Sequence, residues 1–285
     1  MSYEMTNGKI DIARAFSAEM LESADGYSMP YRLYIPKNYD CGEMYPVLIF
    51  LHGAGERGND NKKNVAVAIP HVFDDPESPA RRSIIIVPQC PEDRQWVYTP
   101  WEHGCYSVAG VVESRECEAV LEILDNVKAA YNVDTSRIYI TGISMGGFGT
   151  WDLMARHSKL FAAGMPVCGG GDPAMAKALA TIPIRTFHGD LDTAVPTEGT
   201  REMYAAVKAA GGKIKYTEFE DMGHGIWDTV YSDADNIRWL FSQTRKAAPA
   251  KAKAKKPNVK KAGIFGVAAG ITAALAISVL KKKKK

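Results

Sequence analysis

The sequence lacks most of the marks that would assign it to a metal, nucleotide or disulfide class. It has no H-E-x-x-H, and no G-x-G-x-x-G follows its first strand, so the common zinc-hydrolase and dinucleotide-binding patterns are missing. Its five cysteines, Cys41, Cys90, Cys105, Cys117 and Cys168, are odd in number and form no C-x-x-C pair. A disulfide framework or a zinc ribbon would need another pattern, so reduced thiols are expected. No basic segment leads into an apolar run at the N-terminus, and no secretory signal is expected. Basic residues are scarce in the body. Twelve of the 35 Lys and Arg residues are lysines beyond residue 245, where there is no acid, which leaves 23 basic against 33 acidic side chains in residues 1–245. A body with that surplus of acid has no positive footprint for phosphates, so nucleic acid is not an expected partner.

What remains is an ordinary globular composition, 46% hydrophobic and 24% charged over 285 residues. The chain divides into a body, 1–245, and a tail. Residues 246–261 are rich in Lys, Ala and Pro and read as a solvated linker. Residues 262–280 hold no charge, and residues 281–285 are all lysine. As a helix, 19 residues span roughly 28 Å, close to the thickness of a bilayer's hydrocarbon core. A C-terminal transmembrane or membrane-associated helix is therefore expected. The body would stay on the cytoplasmic side, with a soluble cytoplasmic protein as the alternative.

Within the body, continuous apolar runs alternate with amphipathic stretches. Strands are predicted at Tyr31–Ile35, Pro46–Leu51, Ser83–Val87, Arg137–Thr141, Ala162–Val167, Ile184–His188 and Lys213–Phe219. Phe16–Glu22 and Met29–Tyr34 flank Asp25-Gly26 and read as a hairpin. Helices are predicted at Glu113–Tyr131, Gly147–His157, Thr197–Ala210 and Asp233–Arg245. The alternation implies an α/β fold with a mostly parallel central sheet and helices on both faces.

The chemistry-bearing motifs sit where strands end. Gly142-Ile143-Ser144-Met145-Gly146 fits G-x-S-x-G between a strand and a helix. A serine on such a sharp turn projects its Oγ above the sheet, and the flanking glycines give it room. His52-Gly53-Ala54-Gly55 follows another strand, and its turn can aim a backbone N–H at a developing oxyanion. The N–H groups of Ala54 and Met145 are the expected pair of donors, while His52 itself is expected to fix the turn. In His188-Gly189-Asp190-Leu191-Asp192, either Asp190 or Asp192 could orient a histidine. His224 follows the last strand and completes the chain order Ser, Asp, His expected of a nucleophile elbow. Trp96 and Trp101, from an aromatic-rich stretch at 89–106, and Trp227 are expected to line a substrate pocket.

Taken together, LHGAGERG, PQCP, TGISMGGFGTW, HGDLDTAVP, GHGIWDTVY and WLFSQTR resemble the α/β-hydrolase superfamily. More narrowly, they resemble its bacterial serine esterases of the predicted-peptidase and phospholipase/carboxylesterase-like group, over roughly residues 12–245. The resemblance implies an α/β-hydrolase fold and a Ser144, Asp192, His224 triad. Asp192 is preferred to Asp190 because that family's acid stands four residues after the histidine and three before Val-Pro. It further implies hydrolysis of small to medium acyl or aryl esters, such as acetyl or feruloyl esters, without a metal or organic cofactor. A peptidase acting on short peptides and an inactive, membrane-tethered binding module are the alternatives.

Overall fold

The computed structural model describes residues 10–245. Eight strands form one sheet: β1 (Phe16–Glu22), β2 (Ser28–Tyr34), β3 (Tyr45–Leu51), β4 (Ile84–Pro88), β5 (Val133–Ile143), β6 (Ala163–Val167), β7 (Ile184–Gly189) and β8 (Ile214–Phe219). Their order is β1-β2-β4-β3-β5-β6-β7-β8. The β1–β2 and β2–β4 pairs are antiparallel, and every pair from β4 through to β8 is parallel. Composition explains the layout. All seven residues of β3 (YPVLIFL) and all five of β4 (IIIVP) are buried, as strands covered on both faces must be. At the edge, β1 mixes buried and exposed positions. It turns into β2 through Gly26, at φ 84°, while the Tyr27 N–H donates to Asp25 Oδ1.

Seven α-helices accompany the sheet among the described residues: α1 (Ile12–Ala15), α2 (Arg115–Ala130), α3 (Met145–Arg156), α4 (Ala176–Leu179), α5 (Thr197–Ala209), α6 (Trp227–Ser232) and α7 (Ala234–Ser242). Residues of α2, α3, α4 and α5 share one core with Val47, Ile49 and Leu51 of β3. Residues of α6 and α7 share the other with Leu48 and Phe50. Successive side chains of a strand thus feed opposite layers, giving the expected sheet with helices on both faces.

Some boundaries differ from expectation. Strand β5 begins at Val133, four residues early, because its pairing with β3 shifts register between Tyr45 and Val47 and absorbs the polar Asp134-Thr135-Ser136. The stretch expected as one helix over Asp233–Arg245 is the shorter α7. Asp233 caps it by accepting from the Asp235 N–H, and α6 precedes it. Among the described residues, no helix is long and apolar enough to cross a membrane. The expected linker, hydrophobic helix and lysine end, 246–285, lie outside the described residues.

At the junction of β5 and α3, backbone packs directly on backbone. A Cβ on Gly146 would overlap the Leu51 carbonyl at the end of β3, and one on Gly142 would overlap the Gly146 carbonyl. Gly146→Ala is therefore expected to destabilise the fold by at least about 3 kcal/mol. Gly55→Ala, with nothing within 4 Å of its added methyl, should stay within about 0.5 kcal/mol of wild type. Urea unfolding of the two variants checks the contrast; equal losses would remove the close-approach argument.

Candidate active site

Ser144 lies between the last residue of β5 and the first of α3, at φ 53° and ψ −120°. A non-glycine residue held there costs about 1–3 kcal/mol, so the surroundings must impose it. They do so through the backbone. The Ser144 N–H donates to the Val167 carbonyl at 2.9 Å, and the Ser144 carbonyl accepts from the N–H groups of Gly147 and Phe148 at 2.7 and 3.2 Å. The helix therefore begins at Met145, two residues before its expected start.

His224 lies on the loop between β8 and α6. Its Nε2 is 2.8 Å from Ser144 Oγ, and its Nδ1 is 2.6 Å from Asp192 Oδ2. The edge-on ring of Trp227, 5.5 Å away between centroids, and the Cys168 thiol, donating to the His224 carbonyl at 3.3 Å, hold the histidine in place. Asp192 lies on the loop after β7, its side chain wholly shielded from solvent. Its Oδ1 accepts from the N–H groups of Ala194 and Val195 at 2.8 and 2.9 Å. Burial alone would push its carboxyl up. Hydrogen bonds from His188, His224 and Val195 outweigh that and hold it well below the usual carboxylate range. Asp190 turns elsewhere, its Oδ1 meeting the Met222 N–H at 3.3 Å.

The His52-Gly53-Ala54 turn comes against the serine: a Cβ built on Gly53 would stand 3.6 Å from Ser144 Cβ. Ala54 opens a 3₁₀ turn (Ala54–Glu56) and Met145 opens α3, so both N–H groups precede any intrahelical acceptor. Among the described residues neither has a hydrogen-bond partner. His52 shapes this turn. Its Nε2 accepts from the Cys90 N–H at 3.0 Å, so its proton sits on Nδ1 and is donated to the Gly53 carbonyl at 2.6 Å. Full burial pulls its pKa down to about 4 and keeps the ring neutral.

Ser144 and His224 open onto a cavity of about 320 Å³ lined by Trp101 and Trp227. Trp96 does not line it, contrary to expectation. Its side chain is fully buried, donates from Nε1 to the His52 carbonyl at 3.1 Å and stands edge-on to the His52 ring. This buried indole finds its acceptor behind the turn that it braces. Sequence reasoning also overlooked Glu56, Ala194 and Val195, which complete the lining. Glu56 could have been suspected from its place in the GERG turn; burial raises its carboxyl pKa. A larger cavity, about 670 Å³, lies at the opposite end of the sheet beside Tyr45 and Arg137, where β3 begins and β5 runs in. No serine, threonine, cysteine or histidine lines it.

Cys168, His188 and Asp192 bring one sulfur, one nitrogen and one oxygen within 4.8 Å of one another. Those atoms are already committed to the hydrogen bonds of the His224 loop and the acid. What the arrangement can do is move a proton from a serine hydroxyl to a histidine oriented by an ionised acid, beside two N–H groups free to meet negative charge.

Residues 42–237 match the model of the phospholipase/carboxylesterase family. The chain belongs to that family. A thermostable esterase of known structure superposes with a TM-score of 0.74 at 35% identity, over 82% of this chain and 64% of its own. A ferulic acid esterase structure, 20% identical, shares the fold at a TM-score of 0.57 over 79% of this chain and 98% of its own. A bifunctional acetylxylan esterase/xylanase of Neocallimastix patriciarum is 35% identical over 79 residues, which is 28% of this chain and 12% of that protein. The chain thus spans a small part of this curated relative and just under two thirds of the esterase structure.

In this phospholipase/carboxylesterase chain the two loop acids separate cleanly by geometry. Asp192→Asn is expected to lower kcat by about 10⁴, because an amide disturbs the tautomer of His224. Asp190→Asn should stay within about tenfold of wild type, since its contact is to one loop N–H. Steady-state kinetics of both folded variants on a chromogenic ester give the ranking, and the reverse order would transfer the role to Asp190.

Proposed function

We propose that this chain is a carboxylic ester hydrolase working through an acyl-enzyme. The observation that carries the reading is the unbroken hydrogen-bond chain from Ser144 Oγ through His224 to Asp192. Ser144 attacks the ester carbonyl while His224 Nε2 takes its proton. Asp192 keeps the proton of the histidine on Nδ1 and stabilises the imidazolium that forms. The N–H groups of Met145 and Ala54 receive the oxyanion, each worth about 3 kcal/mol in comparable sites. His224 then gives its proton to the leaving alcohol. A water molecule, activated by the same histidine, releases the acid and restores Ser144.

The cavity supports small to medium acyl or aryl esters, acetyl or feruloyl among them. Its two tryptophans offer flat apolar walls, and its volume of about 320 Å³ suits a single acyl or aryl group. The partial kinship with an acetylxylan esterase points the same way. A p-nitrophenyl ester chain-length series, run beside acetyl-xylan, methyl ferulate and short peptides, tests the substrate class. Faster turnover of the peptides would favour the peptidase alternative.

Ser144→Ala is expected to cut kcat by at least about 10⁴ and to abolish labelling by a fluorophosphonate probe, with the fold unchanged. Wild-type protein that does not label would favour the inactive binding module instead. Every residue given a role here lies between 52 and 227, so truncation after Arg245 should leave kcat/KM on a soluble ester within about twofold of the full chain. A larger loss would show that the tail contributes to turnover.

A further inference from the structure

His188, near the end of β7, takes no step in the hydrolysis above, yet its wholly buried side chain touches the acid. Its Nε2 lies 3.0 Å from Asp192 Oδ2 and 3.0 Å from the Val195 carbonyl oxygen. Both atoms are acceptors, so Nε2 carries a proton and donates. At the other side of the ring, Nδ1 is the acceptor face of the neutral imidazole and lies 2.8 Å from the Thr200 hydroxyl, whose one proton is shared between Nδ1 and the Gly169 carbonyl oxygen 2.9 Å from Oγ1. The imidazole is thus held at both ends, by the loop after β7 and by α5.

We propose that His188 is a positioning residue of the hydrolytic site, donating to the same carboxylate oxygen of Asp192 that receives the Nδ1 proton of His224. The inference rests on the triad reading. Asp192 meets four donors: Ala194 and Val195 on Oδ1, His224 and His188 on Oδ2. The two backbone donors hold Oδ1, and His188 holds Oδ2 where it meets His224, so its loss lets the acid turn away from the base. His188 also makes a second claim on the charge of Oδ2. Charge drawn toward His188 is not available to the imidazolium that His224 becomes, so the bond makes the site a weaker base. Removing it should therefore strengthen proton binding at His224 and move the acidic limb of kcat/KM to higher pH.

The other titratable groups around this pair are Asp190 on the same loop, Cys168 at the end of β6, Glu218 opposite His188 on β8 and Glu56 on the turn after β3. Burial raises the Cys168 thiol and keeps it neutral. Among the described residues, no other side chain donates to Oδ2.

The test uses the full chain, p-nitrophenyl acetate and a fluorophosphonate probe. His188→Met removes the donor at similar volume. It should still label, lose about tenfold or more in kcat with KM within twofold, and shift the acidic limb upward by about half a pH unit or more. His188→Gln, whose amide can return an N–H to Oδ2, should bring the limb back toward wild type. A packing role alone would lower the folded fraction without moving the limb. If His188→Met does not fold, Thr200→Val decides: loosening Nδ1 should move the limb in the same direction by less. Labelled, folded variants with an unmoved or lowered limb overturn the proposal alone. A wild-type protein that fails to label overturns the triad reading and this inference with it.

Discussion

The first turn of α3 resting on the carbonyl end of β3 is the contact on which the site depends. It brings backbone to backbone, with Gly146 against Leu51 and Gly142 against the Gly146 carbonyl, and no side chain fits between them. Three consequences come from this one approach. The chain must reverse within a single residue, which forces Ser144 to positive φ and lifts its hydroxyl clear of the sheet. The helix must start at Met145, leaving its first N–H without an intrahelical acceptor. The residues leaving β3 must pass beside the serine, which brings Gly53 and Ala54 to it. The exposed Ser144 hydroxyl and the two unpaired N–H groups beside it are therefore products of one packing constraint.

Around that contact two buried histidines are fixed by hydrogen bonds. His52 is fully buried and neutral, and its ring links the β3 turn to the end of β4 through Cys90. Trp96 closes the back of the same turn. The acid side is built on opposite terms: Asp192 is shielded but stays ionised because donors on both oxygens replace the water it has lost. Two buried histidines thus serve different ends, His52 as a neutral strut and His188 as a donor to the acid.

Sheet and helices were legible in the sequence because strands buried on both faces read as unbroken apolar runs, as YPVLIFL and IIIVP do, and because Val120, Leu121, Leu124 and Val127 recur at helical spacing. The start of β5 and the helix α6 were not legible. The first hides polar residues behind a register shift, and the second is only six residues long, too short to show a helical period.

The motifs that carry Ser144, Asp192 and His224 could be read from the chain alone because each stands just beyond a strand, and the parallel strands end on the same side of the sheet. The spacing of a motif is local, and it survives in the sequence. Which aromatic meets the cavity is not local. Trp96 and Trp101 are five residues apart in one loop, and one is sealed behind His52 while the other faces Ser144. The partner of His188 is likewise set by where α5 and the loop after β7 come to rest, with Thr200 twelve residues away on one side and Asp192 on the other. Sequence determined the chemistry available at each strand end. Packing decided which of those groups touch, because contact in a parallel sheet joins loops that the chain itself keeps far apart.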